Sequence, residues 1–202
     1  MADTFSVLQI GPEHHGTRMS LDEFAHAEGR GGFHYELNRG VIEAVDVPGL
    51  PHGRVVKFIR NALTRYEESH PGVVNYDATG SDAVIRVPIV QSERHPDILV
   101  YLSPPPVSGS QPWDHWIPEL VIEVVSPGSE ERDYVDKRDD YLRAGVRLYW
   151  IVDPRARGAT VLTRRGDTWS EVRLTESGSL TTPLLPEFAL QLSDMWAVLP
   201  RA

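Results

Sequence analysis

The chain has 202 residues, enough for one domain with a sizeable core, and its formal net charge of −9 argues against tight non-specific binding to a polyanion. It contains no cysteine, which excludes disulfide frameworks and thiolate metal sites and makes a reducing cytoplasm the expected compartment. No stretch approaches the roughly 20 apolar residues of a membrane span, and MADTFSVLQIGPEHH lacks a basic start followed by an apolar run, so no membrane partner and no export are expected.

Sixteen prolines and sixteen glycines imply many turns between short elements. His14-His15 reads as a solvated pair. Ser20 and Glu23 stand at capping-box spacing and predict a short helix over 20–28. FHYELNRGVIEAV predicts a hairpin around Asn38-Arg39-Gly40, and GLPHGR (49–54) a loop. Val55, Val56, Ile59, Ala62, Leu63 and Tyr66 recur at helical spacing until His70-Pro71-Gly72 stops the run. Short strands are predicted over 73–76, 83–87 and 98–102, followed by the proline- and serine-rich loop SPPPVSGSQPW (103–113). ELVIEVV (119–125) reads as a strand apolar on both faces, as in a fully covered sheet. Ser126-Pro127-Gly128-Ser129 breaks the chain; Ser129 starts a helix to about residue 144, with Gly145 beyond its end. A strand over 146–152 and an antiparallel hairpin of 159–163 with 169–174 follow, and the C-terminal fifth reads as a strand or a loose wrap. The predicted fold is a single α/β (α+β) domain over 1–202, with a mixed sheet flanked by helices and hairpins at both ends.

Glu123 interrupts the apolar strand. An ionised carboxylate there costs several kcal/mol unless a cation or donors meet it. Asp97 opens its strand directly after Pro96, and pairing of these two strands would bring both carboxylates to one edge of the sheet, a hard oxygen pair suited to Mg2+ or Mn2+ with water and phosphate in the remaining positions. Lys137, three residues after Tyr134 and four before Tyr141, falls on a helix face aimed at the sheet. Its ammonium is placed to orient or activate a water, or to hold a phosphate oxygen. The plain alternative is a structural Glu123–Lys137 ion pair with Asp97 as a turn residue. An acidic metal site is compatible with the acidic balance, and Arg132, Lys137, Arg138, Arg143 and Arg147 form a local basic cluster available to a phosphate chain. Ser126 lacks the G-x-S-x-G turn of a hydrolase, Arg165-Gly166-Asp167 is a hairpin turn, and no glycine-rich phosphate loop is present. Tyr149 and Trp150 read as core.

RHPDILVYL, followed by PELVIEVVSPGSEERDYVDKRDDYLRAGVRLYWIVDP, resembles the Uma2 family of restriction-endonuclease-like proteins in the PD-(D/E)xK nuclease superfamily. The resemblance covers about residues 20–165 and implies a restriction-endonuclease-like core in αβββαβ order. It implies a Mg2+- (or Mn2+-) dependent endonuclease hydrolysing DNA phosphodiester bonds, with Asp97 and Glu123 as catalytic metal ligands and Lys137 as the catalytic lysine. Glu36, in YELNRG, and His52 match less tightly and are implied as accessory metal or water ligands. The lysine of the (D/E)xK tripeptide is absent, since Val125 stands there. That departure keeps open a second reading, a catalytically decayed nuclease-fold module acting in binding or assembly. Cutting both strands of a duplex calls for a homodimer, and exposed hairpins offer edges for pairing.

Overall fold

The computed structural model describes residues 7–80, 82–106 and 112–200. Residues 107–111, part of the predicted proline- and serine-rich loop, lie outside the described residues. The chain begins with β1 (Gln9–Ile10), α1 (Leu21–Ala25), β2 (Glu28–Gly29), β3 (His34–Asn38) and β4 (Val41–Val45). Then come α2 (Leu50–Ser69), β5 (Tyr76–Ala78), β6 (Ile85–Val87), β7 (Ser92–Arg94), β8 (Ile98–Tyr101) and β9 (Leu120–Val124). The remainder is α3 (Lys137–Ala144), β10 (Leu148–Asp153), β11 (Gly158–Arg165), β12 (Thr168–Leu174), β13 (Ser179–Thr182), β14 (Leu185–Gln191) and α4 (Leu192–Trp196). These form two compact units, one from residues up to 47 together with 86–94, the other from 48–85 and 95 onward.

In the first unit β3 and β4 form the predicted hairpin, and its two turn residues, Arg39 (φ 52°) and Gly40 (φ 75°), both adopt the left-handed conformation that such turns require. The capping box is made as predicted: Glu23 N donates to Ser20 Oγ at 3.2 Å and Ser20 N to Glu23 Oε2 at 2.9 Å. Of the two histidines predicted to be solvated, His15 is exposed and His14 half-buried, and each also accepts a backbone bond: Gly11 N donates to His14 Nδ1 and Ala44 N to His15 Nδ1. β7 was not foreseen, because Ser92, Glu93 and Arg94 are all polar. All three are nonetheless buried, and each polar group is met: Arg39 N donates to Ser92 Oγ, Arg86 to Glu93, and Arg94 to Glu36 and Asn38.

The second unit is built on a six-stranded sheet in the order β12-β11-β10-β9-β8-β5, with β9 and β10 parallel and the other pairs antiparallel. Its four strands β5, β8, β9 and β10, with α2 before them and α3 between the last two, give the predicted αβββαβ order. On one face, Ile98, Val100, Leu120, Ile122 and Val124 pack in a single core with Val55, Ile59, Leu63 and Tyr66 of α2. The same core takes Phe188 of β14 and Met195 and Trp196 of α4, so the C-terminal fifth is a packed hairpin and helix, not a loose wrap.

The segment predicted as a loop at 49–54 is instead the opening of α2. Pro51 is tolerated because first-turn N–H groups have no intrahelical acceptor. Gly53 costs about 1 kcal/mol relative to alanine, which the burial of four apolar side chains along the helix outweighs. That early start puts His52 on the helix.

Candidate active site

The register of β8 on β9 sets Ile98 opposite Ile122, so one step outward Asp97 stands opposite Glu123. Alternation sends Ile98, Ile122 and Val124 into the α2 core and therefore turns Asp97 and Glu123 to the other face. Asp97 N donates to Glu123 Oε2 at 3.4 Å. Asp97 Oδ2 accepts from Val124 N at 2.8 Å and from His52 Nε2 at 3.0 Å, while its second oxygen takes neither bond. The segment leading into Asp97 is held by His95, whose Nδ1 donates to the Gly80 carbonyl at 2.7 Å. A side chain at position 80 would clash, since a Cβ there would sit 2.7 Å from the His95 carbonyl carbon.

Glu123 is met from α3. Lys137 Nζ donates to Glu123 Oε1 at 2.9 Å and the Tyr141 hydroxyl donates to the same oxygen at 2.5 Å, with all three side chains buried. Helical backbone runs from 130 to 144, as predicted, but contains a π-helical turn at Arg132–Asp136, in which Lys137 N bonds back to the Arg132 carbonyl. From that turn Asp133 reaches Lys137 Nζ at 3.4 Å, and the Ser129 hydroxyl donates to its other carboxyl oxygen at 2.6 Å. Tyr149, on β10, packs edge-on against Tyr141 and donates its hydroxyl to the Asp133 carbonyl at 2.8 Å. Burial pushes the Asp133 carboxyl above the ordinary aspartate range, against the opposing pull of the Lys137 ammonium and the Ser129 hydroxyl. Burial, with the charges of Glu123, Asp133 and Asp97 adding to it, holds the Tyr149 phenol well above its ordinary value, so it remains a proton donor.

Asp97, Glu123, Lys137 and His52 are thus gathered in the second unit. Glu36 lies on β3 of the first unit, where Arg94 Nη1 donates to it at 3.3 Å. Sequence reasoning missed Asp133, Ser129 and the donor role of Tyr141. The signal for them was a spacing of four: Ser129, Asp133, Lys137 and Tyr141. Tyr134, expected on the face of Lys137, is only half-buried, whereas Lys137 is buried. Of the expected basic cluster, Lys137 is buried, Arg138 is paired with Glu171 and Arg143 with Asp139.

The family model of Uma2, described as "Putative restriction endonuclease", matches residues 21–193. The chain belongs to the Uma2 family. A solved structure similar to this Uma2 protein is that of an Anabaena variabilis ATCC 29413 protein described as "a putative nuclease belonging to DUF820". It shares 17% identity with a TM-score of 0.72 and covers 89% of this chain and 98% of its own, a likeness that speaks to the fold alone. No curated protein matches the chain.

Among the described residues of this Uma2 chain, no three His, Asp or Glu side chains are grouped so as to hold a metal ion. Mg2+ does not require such a cage, because it keeps several waters and takes one or two carboxylates together with substrate phosphate oxygens. Asp97 and Glu123 fit that mode: they are hard oxygen donors facing each other across two strands, and the Asp97 side chain is 21% exposed. No helix among the described residues is long and apolar enough to cross a membrane.

Proposed function

We propose that this Uma2 protein is a divalent-metal-dependent endonuclease that hydrolyses DNA phosphodiester bonds. The observation that carries the reading is the facing pair of Asp97 and Glu123 on adjacent strands, with an ammonium 2.9 Å from Glu123. Asp97 and Glu123 would hold Mg2+ or Mn2+, which when bound adds positive charge at the phosphate and acidifies water. His52 and Val124 N fix the Asp97 rotamer through one carboxylate oxygen. Lys137, fixed on Glu123, would orient the attacking water or hold a phosphate oxygen through its ammonium charge. In-line attack forms the new P–O bond as the bond to the 3′ oxygen breaks, leaving a 5′-phosphate and a 3′-hydroxyl. Cutting both strands calls for two copies, one per strand.

A second reading, a catalytically silent module of the same fold, is favoured by one observation. Lys137 and Tyr141 both bind Glu123 Oε1, as in a structural ion pair, while Val125 fills the tripeptide lysine's position. Nicking of supercoiled plasmid with Mg2+ or Mn2+ separates the two. Wild type is expected to cut, and Asp97→Asn and Glu123→Gln to lose at least about 100-fold of the rate. No cutting by the wild type, or equal cutting by folded variants, would remove the nuclease assignment.

A further inference from the structure

We propose that Asp133 is a positioning residue for Lys137, and that the column Ser129, Asp133, Lys137, Tyr141, kept in line by the π-helical turn, is the device that lets a helix lysine serve a site whose strand lysine is absent. The proposal rests on the nuclease reading above. Position 125 lies two residues beyond Glu123 on the same strand path, so its side chain returns to the Glu123 face, and Val125 there is buried and carries no charge. A lysine supplied by α3 has to reach the carboxylates from a different backbone.

Helix geometry makes that difficult. Residues four apart in an α-helix are rotated by about 40° from one another, so a column of four such residues drifts by about 120° and its ends part company. A π turn takes up one more residue and is underwound, which takes back part of that drift. The outcome is visible in burial: Ser129 is 3% exposed, Asp133 2%, Lys137 4% and Tyr141 0%, whereas Val135, within the π turn, is 59% exposed.

The bonds run along this column. Ser129 Oγ accepts from Ser126 N at 2.9 Å and donates to Asp133 Oδ2 at 2.6 Å; Asp133 Oδ1 lies 3.4 Å from Lys137 Nζ; Lys137 and Tyr141 both end on Glu123 Oε1. Tyr149 fixes the Asp133 backbone from the sheet. Asp133 touches neither Asp97 nor Glu123 through these bonds; it acts through the ammonium. A long, flexible lysine side chain carries about 2 kcal/mol of rotamer entropy. A carboxyl on the preceding turn confines it before substrate arrives.

The test is a double-mutant cycle in Mn2+-dependent cleavage, with circular dichroism and melting temperature recorded for every variant. Asp133→Asn is expected to lower kcat by about 10–100-fold with KM for DNA little changed. In the Lys137→Gln background the same substitution is expected to add nothing to the loss. Ser129→Ala, a smaller perturbation, is expected to give the same pattern at lower amplitude and serves if Asp133→Asn does not fold. Additive losses in the two backgrounds, with a cleaving wild type, would overturn the positioning role alone. A wild type that does not cleave would overturn the nuclease reading and this role with it.

Discussion

Lys137 Nζ stands 2.9 Å from Glu123 Oε1, and neither side chain is more than 5% exposed. The carboxylate in the middle of an apolar strand is therefore matched by charge from the next helix. Removing one partner of such a buried pair leaves an uncompensated charge and costs about 3–5 kcal/mol. Lys137→Met is expected to lower the unfolding free energy by that amount in urea, with the double variant Glu123→Gln/Lys137→Met recovering part of the loss. A Lys137→Met protein within about 1 kcal/mol of wild type would show that Glu123 is accommodated without the Lys137 ammonium.

His52 reaches Asp97 from the first turns of α2 with its side chain 11% exposed. A donor of this kind orients a ligand without being one, and its loss typically costs about 10–100-fold in metal affinity or activity. His52→Ala is expected to fall in that range in cleavage rate, and His52→Gln, which keeps an N–H donor, to fall less. A His52→Ala protein as fast as wild type would mean that Val124 N holds Asp97 unaided.

The Asp133 carboxyl lies above the ordinary aspartate range, chiefly through burial. Between the unfolded-state value of about 3.9 and its raised native value, the folded chain binds more protons at this group than the unfolded chain. Its contribution to stability therefore falls as pH rises through that window. Asp133→Asn removes this slope, so stability relative to wild type is expected to move in the variant's favour as pH is raised from about 4. Urea midpoints across pH show it; parallel curves for the two proteins would contradict it.

The αβββαβ core and the gathering of Asp97, Glu123 and Lys137 were legible because each carries a local mark. Glu123 is an acid in an apolar strand, Asp97 follows a proline at a strand start, and Lys137 is a charge on an inward helix face. The match of the family model to residues 21–193 agrees with the resemblance read in those segments. What was not legible depended on partners distant in sequence. β7 is polar throughout, and its burial goes with partners distant in sequence, Glu36, Asn38, Arg39 and Arg86 among them. The opening of α2 contains a proline and a glycine, and packing against the sheet outweighs both. The π turn leaves no propensity signature, so the spacing of four from Ser129 to Tyr141 did not by itself show that these residues stay on one face.

The pairing of Asp97 with Glu123 as a cation site is most directly tested by calorimetric titration of Mn2+ into wild type and Asp97→Asn. A two-carboxylate site with open positions is expected to bind with about millimolar affinity, and the variant to show no saturable heat over the same range. Identical titrations for the two proteins, or no binding by wild type, would contradict it.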